Sequence, residues 1–167
     1  MNDAHLHLTF NHLPIIIPIV GLLIMLGGIL LKSDVVKRTS YAIFIFGALL
    51  TVPTFLTGEG AEEIVEEIVG VTHHIIHEHE EVAWTFALLS YFLGGVALIG
   101  LWSNWKRKPL SKVSTYITAV LSLVVIFMGR QTGTTGGEII HTEIRENESS
   151  IHRSGEAESD ELKEGED

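Results

Sequence analysis

The stretch His12–Lys32, HLPIIIPIVGLLIMLGGILLK, decides the fold. Between its histidine and its lysine lie 19 residues without a charge, Leu13–Leu31. About 20 apolar residues in a helix cross the roughly 30 Å of hydrocarbon in a bilayer. A helix of a soluble bundle keeps a polar face, and this run has none. Pro14 falls in the first helical turn, where the missing N–H costs little. Pro18, deeper in the run, is expected to kink the helix.

Three further runs repeat the pattern. Ser40–Thr57 has 18 uncharged residues, Val82–Trp102 has 21 and Val113–Gly129 has 17. The chain is therefore expected to be all-α, an integral membrane four-helix bundle with spans at about 13–31, 40–57, 82–102 and 113–130. The leader Met1–Asn11 has no Lys or Arg and no small-residue cleavage site follows the first run, so that run is expected to persist as a helix. Pro53 is a second expected kink. Gly21, Gly27, Gly28, Gly47, Gly94, Gly95 and Gly100 are candidates for close approach between helices.

The connectors orient the bundle. Lys32–Thr39 carries Lys32, Lys37 and Arg38 against one acid, Asp34, while Ser103–Lys112 carries Lys106, Arg107, Lys108 and Lys112 and no acid. The remaining connector, Gly58–Glu81, has eight Glu and no base. Cytoplasmic loops are enriched in Lys and Arg. Both basic connectors are thus expected in the cytoplasm, with both termini outside, on the periplasmic side of a cell inner membrane. Trp102 and Trp105 would mark the inner interface.

The segment Glu59–Val69 reads as an amphipathic interfacial helix between spans 2 and 3. Ala61, Ile64, Val65 and Ile68 fall on one face and the glutamates on the other. Gly70 ends it, and Thr72 is a candidate N-cap for a helix running from His73 into the third span. On that helix His73 and His77 share a water-facing side with Glu80 and Glu81, and His74 lies near its edge. His79 points the opposite way, towards the bundle. The last 26 residues, from Thr142, hold ten acids and three bases and no aromatic residue. They read as a disordered acidic tail containing His152, so residues 1–141 form the membrane bundle and 142–167 the tail.

Composition narrows the chemistry. With no cysteine, thiolate metal sites, iron–sulfur clusters and covalently attached haem are excluded. No basic stripe suits nucleic acid. Nine histidines gather at the ends opposite the basic connectors. His12 opens span 1 and His79 opens span 3, at similar depth. The chain also reads twice in one order: a His, a span, a basic connector, a span, then Thr57-Gly58 or Thr132-Gly133. This suggests two related hairpins.

The candidate ligands follow from residue type. His12 and His79 are the expected ligands of a b-type haem, with His141 as substitute and Arg130 as a propionate partner. His5, His7, His12, His79 and His141 with Glu62 or Glu63 are the expected set for a divalent transition metal, which imidazole and carboxylate suit. His5 and His7 would share a side if their segment were extended. The glycines of Thr132–Gly137 are expected to turn the chain back, bringing His141 and Glu143 over the mouth. The spans read as nearly free of polar groups, which argues against an ion path. No nucleophile elbow, phosphate loop or H-E-x-x-H motif marks an enzyme.

Four motifs together carry a resemblance: H-L-H-L-x-x-N-H-x-P at His5–Pro14, T-G-E-G-A-E-E at Thr57–Glu63, H-E-E at His79–Glu81, and T-G-x-x-G-G followed by H-x-E-I from Thr132 to Ile144. The chain resembles a family of uncharacterised four-span bacterial inner-membrane proteins, over roughly Met1 to Arg145. It is distantly similar to predicted four-helix membrane proteins suspected of binding haem. The resemblance implies a fold and a set of positions but no activity. The expected function is a His/Glu site at the outer mouth that binds b-type haem or a metal for electron transfer or sensing. The alternative is a non-catalytic structural or assembly subunit of a larger membrane complex. The expected partners are the lipid bilayer and other membrane-protein subunits.

Overall fold

The structure, a computed structural model, describes residues 2–66, 73–141 and 144–145. The described residues contain six α-helices and no strand: α1 (Asp3–Phe10), α2 (His12–Leu30), α3 (Asp34–Leu56), α4 (Gly58–Val65), α5 (His73–Trp105) and α6 (Leu110–Ile140). The four long helices, α2, α3, α5 and α6, are each long and apolar enough to cross a membrane. They form a ring in which α2 packs on α3, α3 on α5, α5 on α6 and α6 back on α2. One end of the ring carries the basic connectors and the other carries α1, α4 and the start of α5.

The two basic connectors are built alike. After α2, the Ser33 N–H donates to the Gly28 carbonyl and the Lys32 N–H to the Ile29 carbonyl. After α5, the Lys108 N–H donates to the Ser103 carbonyl and the Arg107 N–H to the Asn104 carbonyl. Each pair of bonds is a Schellman cap, closed by a residue in the left-handed region, Lys32 or Arg107, both at φ 51°. A non-glycine residue there costs about 1 kcal/mol. Its positive charge beside the helix C-terminus offsets part of that cost. Ser33 then caps α3 by accepting from the Val36 N–H.

Packing between helices depends on small residues. A Cβ at Gly21 would meet the Phe44 ring, one at Gly94 would meet the Ala48 methyl, and one at Gly100 would run into the Tyr41 ring. Gly27 and Gly95 face open space, so only part of the expected glycine set works at close contacts. Met25, Tyr41, Phe44, Phe86, Leu93, Ala97 and Val125 fill the centre. Leu23, Phe46, Phe92, Val120 and Leu123 point outward and are exposed.

The interior is more polar than the sequence suggested. Ser40, Thr51, Ser90, Ser103, Asn104, Ser114, Thr115, Thr118 and Ser122 are buried. Ser114, Thr115, Thr118 and Ser122 lie along one stripe of α6, and each donates its hydroxyl to a carbonyl of its own helix. These hydroxyls are satisfied locally, so they permit close packing rather than lining a path. Asn104 is the hub of the basic end. Its Oδ1 accepts from Arg38 Nε at 2.6 Å, and its Nδ2 donates to Asp34 Oδ1 and to Ser111 Oγ, each at 3.2 Å. Asp34 also pairs with Lys37 at 2.6 Å.

The sequence expectation of a glycine turn at Thr132–Gly137 is corrected. α6 continues through it to Ile140. Thr132, Thr134 and Thr135 each return a hydroxyl hydrogen bond to the carbonyl four residues back, and α5 runs alongside. His5 and His7 lie within α1, so they diverge rather than sharing a side as an extended segment would allow. The helix expected at Glu59–Val69 runs Gly58–Val65 and packs on α1, and its expected end at Gly70 lies outside the described residues. The expected N-cap Thr72 and nearly all of the tail, with His152, lie outside the described residues.

Paired substitutions test the packing. Gly100→Leu should displace the Tyr41 ring, break the Tyr41–Thr115 hydrogen bond and destabilise the bundle by about 1–3 kcal/mol. Gly95→Leu should leave stability within about 0.5 kcal/mol. Thermal unfolding midpoints in detergent measure both.

Candidate functional site

The end opposite the basic connectors is built from short helices laid over long ones. α1 packs on α4 and α3, and α4 follows α3 after Thr57 alone. Gly60 lets Asp3 of α1 lie directly against the α4 backbone, where a Cβ would collide with its carboxylate. Asn2 starts α1 by accepting from the His5 N–H at 3.0 Å. This places His7, one turn from the end of α1, over the last turn of α3.

His7 is half-buried, and its Nδ1 lies 3.0 Å from the Thr54 carbonyl oxygen. That carbonyl belongs to the last turn of a helix, where backbone acceptors lack helical partners. A carbonyl only accepts, so Nδ1 carries the proton and donates. The neutral ring is then left with a bare lone pair on Nε2. Burial pulls the His7 pKa below 6.5, only partly opposed by the hydrogen bond to Thr54, which keeps the ring neutral.

His79 repeats this arrangement from the other side. It is half-buried, with Nδ1 3.0 Å from Thr135 Oγ1. The Thr135 hydroxyl lies 3.2 Å from the Gln131 carbonyl and 3.3 Å from the Thr132 carbonyl, and when it donates to either it accepts from Nδ1–H. The ring edge rests on Gly136, where a Cβ would stand 2.9 Å from Cε1. Burial lowers the His79 pKa, and the nearby His7 lowers it further, while Glu80 and the Thr132 carbonyl act in the opposite direction. In that tautomer the lone pair of the ring is on Nε2.

Carboxylates complete the cluster. Glu62 on α4 comes close enough to Glu80 on α5 for a protonated Glu62 carboxyl to donate to it. That bond, followed by burial and the charges of Glu80, Glu66 and Glu59, pushes the Glu62 pKa up to about 7. Glu66 reaches His73 at 2.9 Å, and His77 lies 3.6 Å from Glu80 and from Glu81. His73, His74 and His77 are exposed, as their helical angles predicted. Asn11 Oδ1, one turn beyond His7, is buried without a hydrogen-bond partner.

Of the expected ligands, His7 lies near enough to His79 to affect its charge, and Glu62 approaches Glu80, the neighbour of His79 in the chain. His12 is exposed at the first residue of α2. His5 and Glu63 are exposed, as is Arg130. His141 is exposed at the end of α6, its N–H bonded to the Gly137 carbonyl. Because α6 does not turn back, His141 is not folded over the mouth in the way the glycines suggested, and Glu143 lies outside the described residues. Glu80 and the anchoring Thr54 and Thr135 were missed. The T-G-x-x-G-G pattern held the signal for Thr135, since Gly136 is where a ring must fit. Among the described residues no three His, Asp or Glu side chains already converge as a metal site.

The titrations work in opposite senses. Glu62 holds more protons folded than unfolded between its ordinary 4.5 and about 7, so its contribution to stability is lost as pH rises through that window. His7 and His79, lowered from 6.5, hold fewer protons folded, so their contribution is lost as pH falls below 6.5. In metal-free protein, Glu62→Gln should therefore raise the unfolding midpoint relative to wild type above pH 7 and leave the acid limb unchanged. Midpoints measured from pH 5 to 8.5 check this. Comparison with protein-family models, curated proteins and solved structures finds no match to this chain, so its site is characterised by its own geometry alone.

Proposed function

We propose that this chain is a four-span inner-membrane protein that holds a first-row transition metal at its outer mouth, as a bound ion or as the iron of a b-type haem. His7 Nε2 and His79 Nε2 would be the ligands, and for a bound ion the Glu62 or Glu80 carboxylate would join them. Its role is electron transfer or sensing. The outward-facing Leu23, Phe46, Phe92, Val120 and Leu123 support membrane insertion, because a soluble chain rarely exposes such a surface. The basic connectors support a cytoplasmic location for their end, which leaves the cluster and both termini outside.

The observation that carries the reading is the matched pair of Nδ1 anchors. A metal-binding imidazole usually donates its other N–H to a carbonyl or another polar group, which fixes the tautomer and aims the lone pair. His7 does this with the Thr54 carbonyl and His79 with Thr135. Burial keeps both rings neutral, the form a metal needs. Among the described residues the three groups have not already converged, so binding an ion requires α1, α4 and α5 to draw together. The second reading, a non-catalytic subunit, draws on the hydrogen bonds these groups already make within the chain.

Metal analysis and an absorption spectrum of the detergent-purified protein decide between the forms. A Soret band marks haem, and stoichiometric zinc, iron or copper without one marks an ion. His7→Ala and His79→Ala should each lower occupancy more than tenfold. Thr135→Val should lower affinity by about 10-fold through the lost anchor, and His12→Ala should change little. Wild-type protein carrying neither metal nor haem, and taking up neither on titration, would contradict the proposal in favour of the subunit reading.

A further inference from the structure

At the opposite end of the bundle, the last two turns of α5 border an open groove of about 450 Å³ lined by Leu98, Leu101, Trp102, Trp105 and Lys106. Its lining is apolar apart from Lys106. Trp102 and Trp105 are well exposed. Arg38, reaching across from α3, sets its guanidinium 5.9 Å from the Trp105 ring centroid. Arg38 is held there by its Nε bond to Asn104, which leaves its terminal nitrogens available to a ligand. Trp105 thus joins the two cations: it lines the groove beside Lys106 and carries Arg38 over its ring. Arg107, Lys108 and Lys112 follow with no acid among them. The one acid of the other connector, Asp34, is bonded to Lys37 and Asn104, and those bonds, with the charges of Lys37 and Arg38, hold its pKa down and its carboxylate charged.

We infer that this groove binds an anionic phospholipid of the cytoplasmic leaflet. The inference rests on the reading that the helices span a membrane with this end inside. The acyl chains lie along Leu98, Leu101 and Trp102, and the phosphate sits between Lys106 and Arg38. A guanidinium and an ammonium are the groups that suit phosphate oxygens. Tryptophan at the rim suits headgroup depth. Each basic side chain near an anionic surface contributes about 1 kcal/mol, or about fivefold in affinity.

The tryptophans themselves report the site. Full-length protein carrying Trp84→Phe keeps Trp102 and Trp105 as its only fluorophores of that kind. In vesicles of phosphatidylcholine with a minor fraction of brominated phosphatidylglycerol, quenching should exceed that by the same fraction of brominated phosphatidylcholine several-fold. Lys106→Glu should abolish the preference, Lys32→Gln should preserve it, and inorganic phosphate should not compete. Equal quenching by the two lipids, or a preference unchanged in Lys106→Glu, would overturn the inference while leaving the spanning reading intact. Quenching by neither lipid would overturn both.

Discussion

The seating of the Tyr41 ring on Gly100 fixes how α5 is turned and how high it stands. No side chain larger than hydrogen fits beneath that ring, and the ring hydroxyl is tied across the bundle to Thr115. The contact of Gly94 with Ala48 secures the same helix pair at a second height. Because α5 is one continuous helix from His73 to Trp105, fixing its rotation there fixes it at both ends. At the basic end this presents Asn104 to Asp34, Arg38 and Ser111. At the acidic end it turns His79 towards α6 and Glu80 towards α4. The two polar clusters are thus consequences of one close contact between α3 and α5.

The two ends differ in what they leave unsatisfied. Around Asn104 the side-chain amide is satisfied on both sides, and the surplus at that end is of donors, on Arg38. At the mouth there are more lone pairs than protons. His7 and His79 each engage Nδ1 with α3 or α6, Asn11 Oδ1 is buried without a donor, and the Glu62 pKa is pushed up to about 7. A site rich in acceptors and poor in donors attracts a cation. The raised pKa of Glu62 expresses the same excess, since a proton fills part of the role a metal would take.

Much of the fold was legible in the sequence because span length and charge asymmetry are properties of single segments. Leu13–Leu31 needs no partner to be recognised as an apolar helix. The direction of His79 was also legible, because helical angle depends only on spacing. Other features depend on tertiary contact. Thr132–Gly137 reads as a turn by composition, yet the adjacent α5 and the threonine back-bonds hold it helical, overriding weak local propensity. His12 was favoured for depth alone, and depth does not say which way a side chain points. His7 gained its place only because α1 is a helix laid over Thr54, which no short-range signal announced. The α6 stripe at Ser114, Thr118 and Ser122 was visible at helical spacing but was hidden by reading the span for charge alone.

The proposed site stands on the tautomers of two rings. Nitrogen-15 NMR of histidine-labelled, metal-free protein near pH 7.5, with resonances assigned through His7→Ala and His79→Ala, reads them directly. Both rings should be neutral, with a protonated Nδ1 and an unprotonated Nε2. An Nε2–H tautomer or an imidazolium in either ring would contradict the account, because the lone pair assigned to the metal would then be occupied.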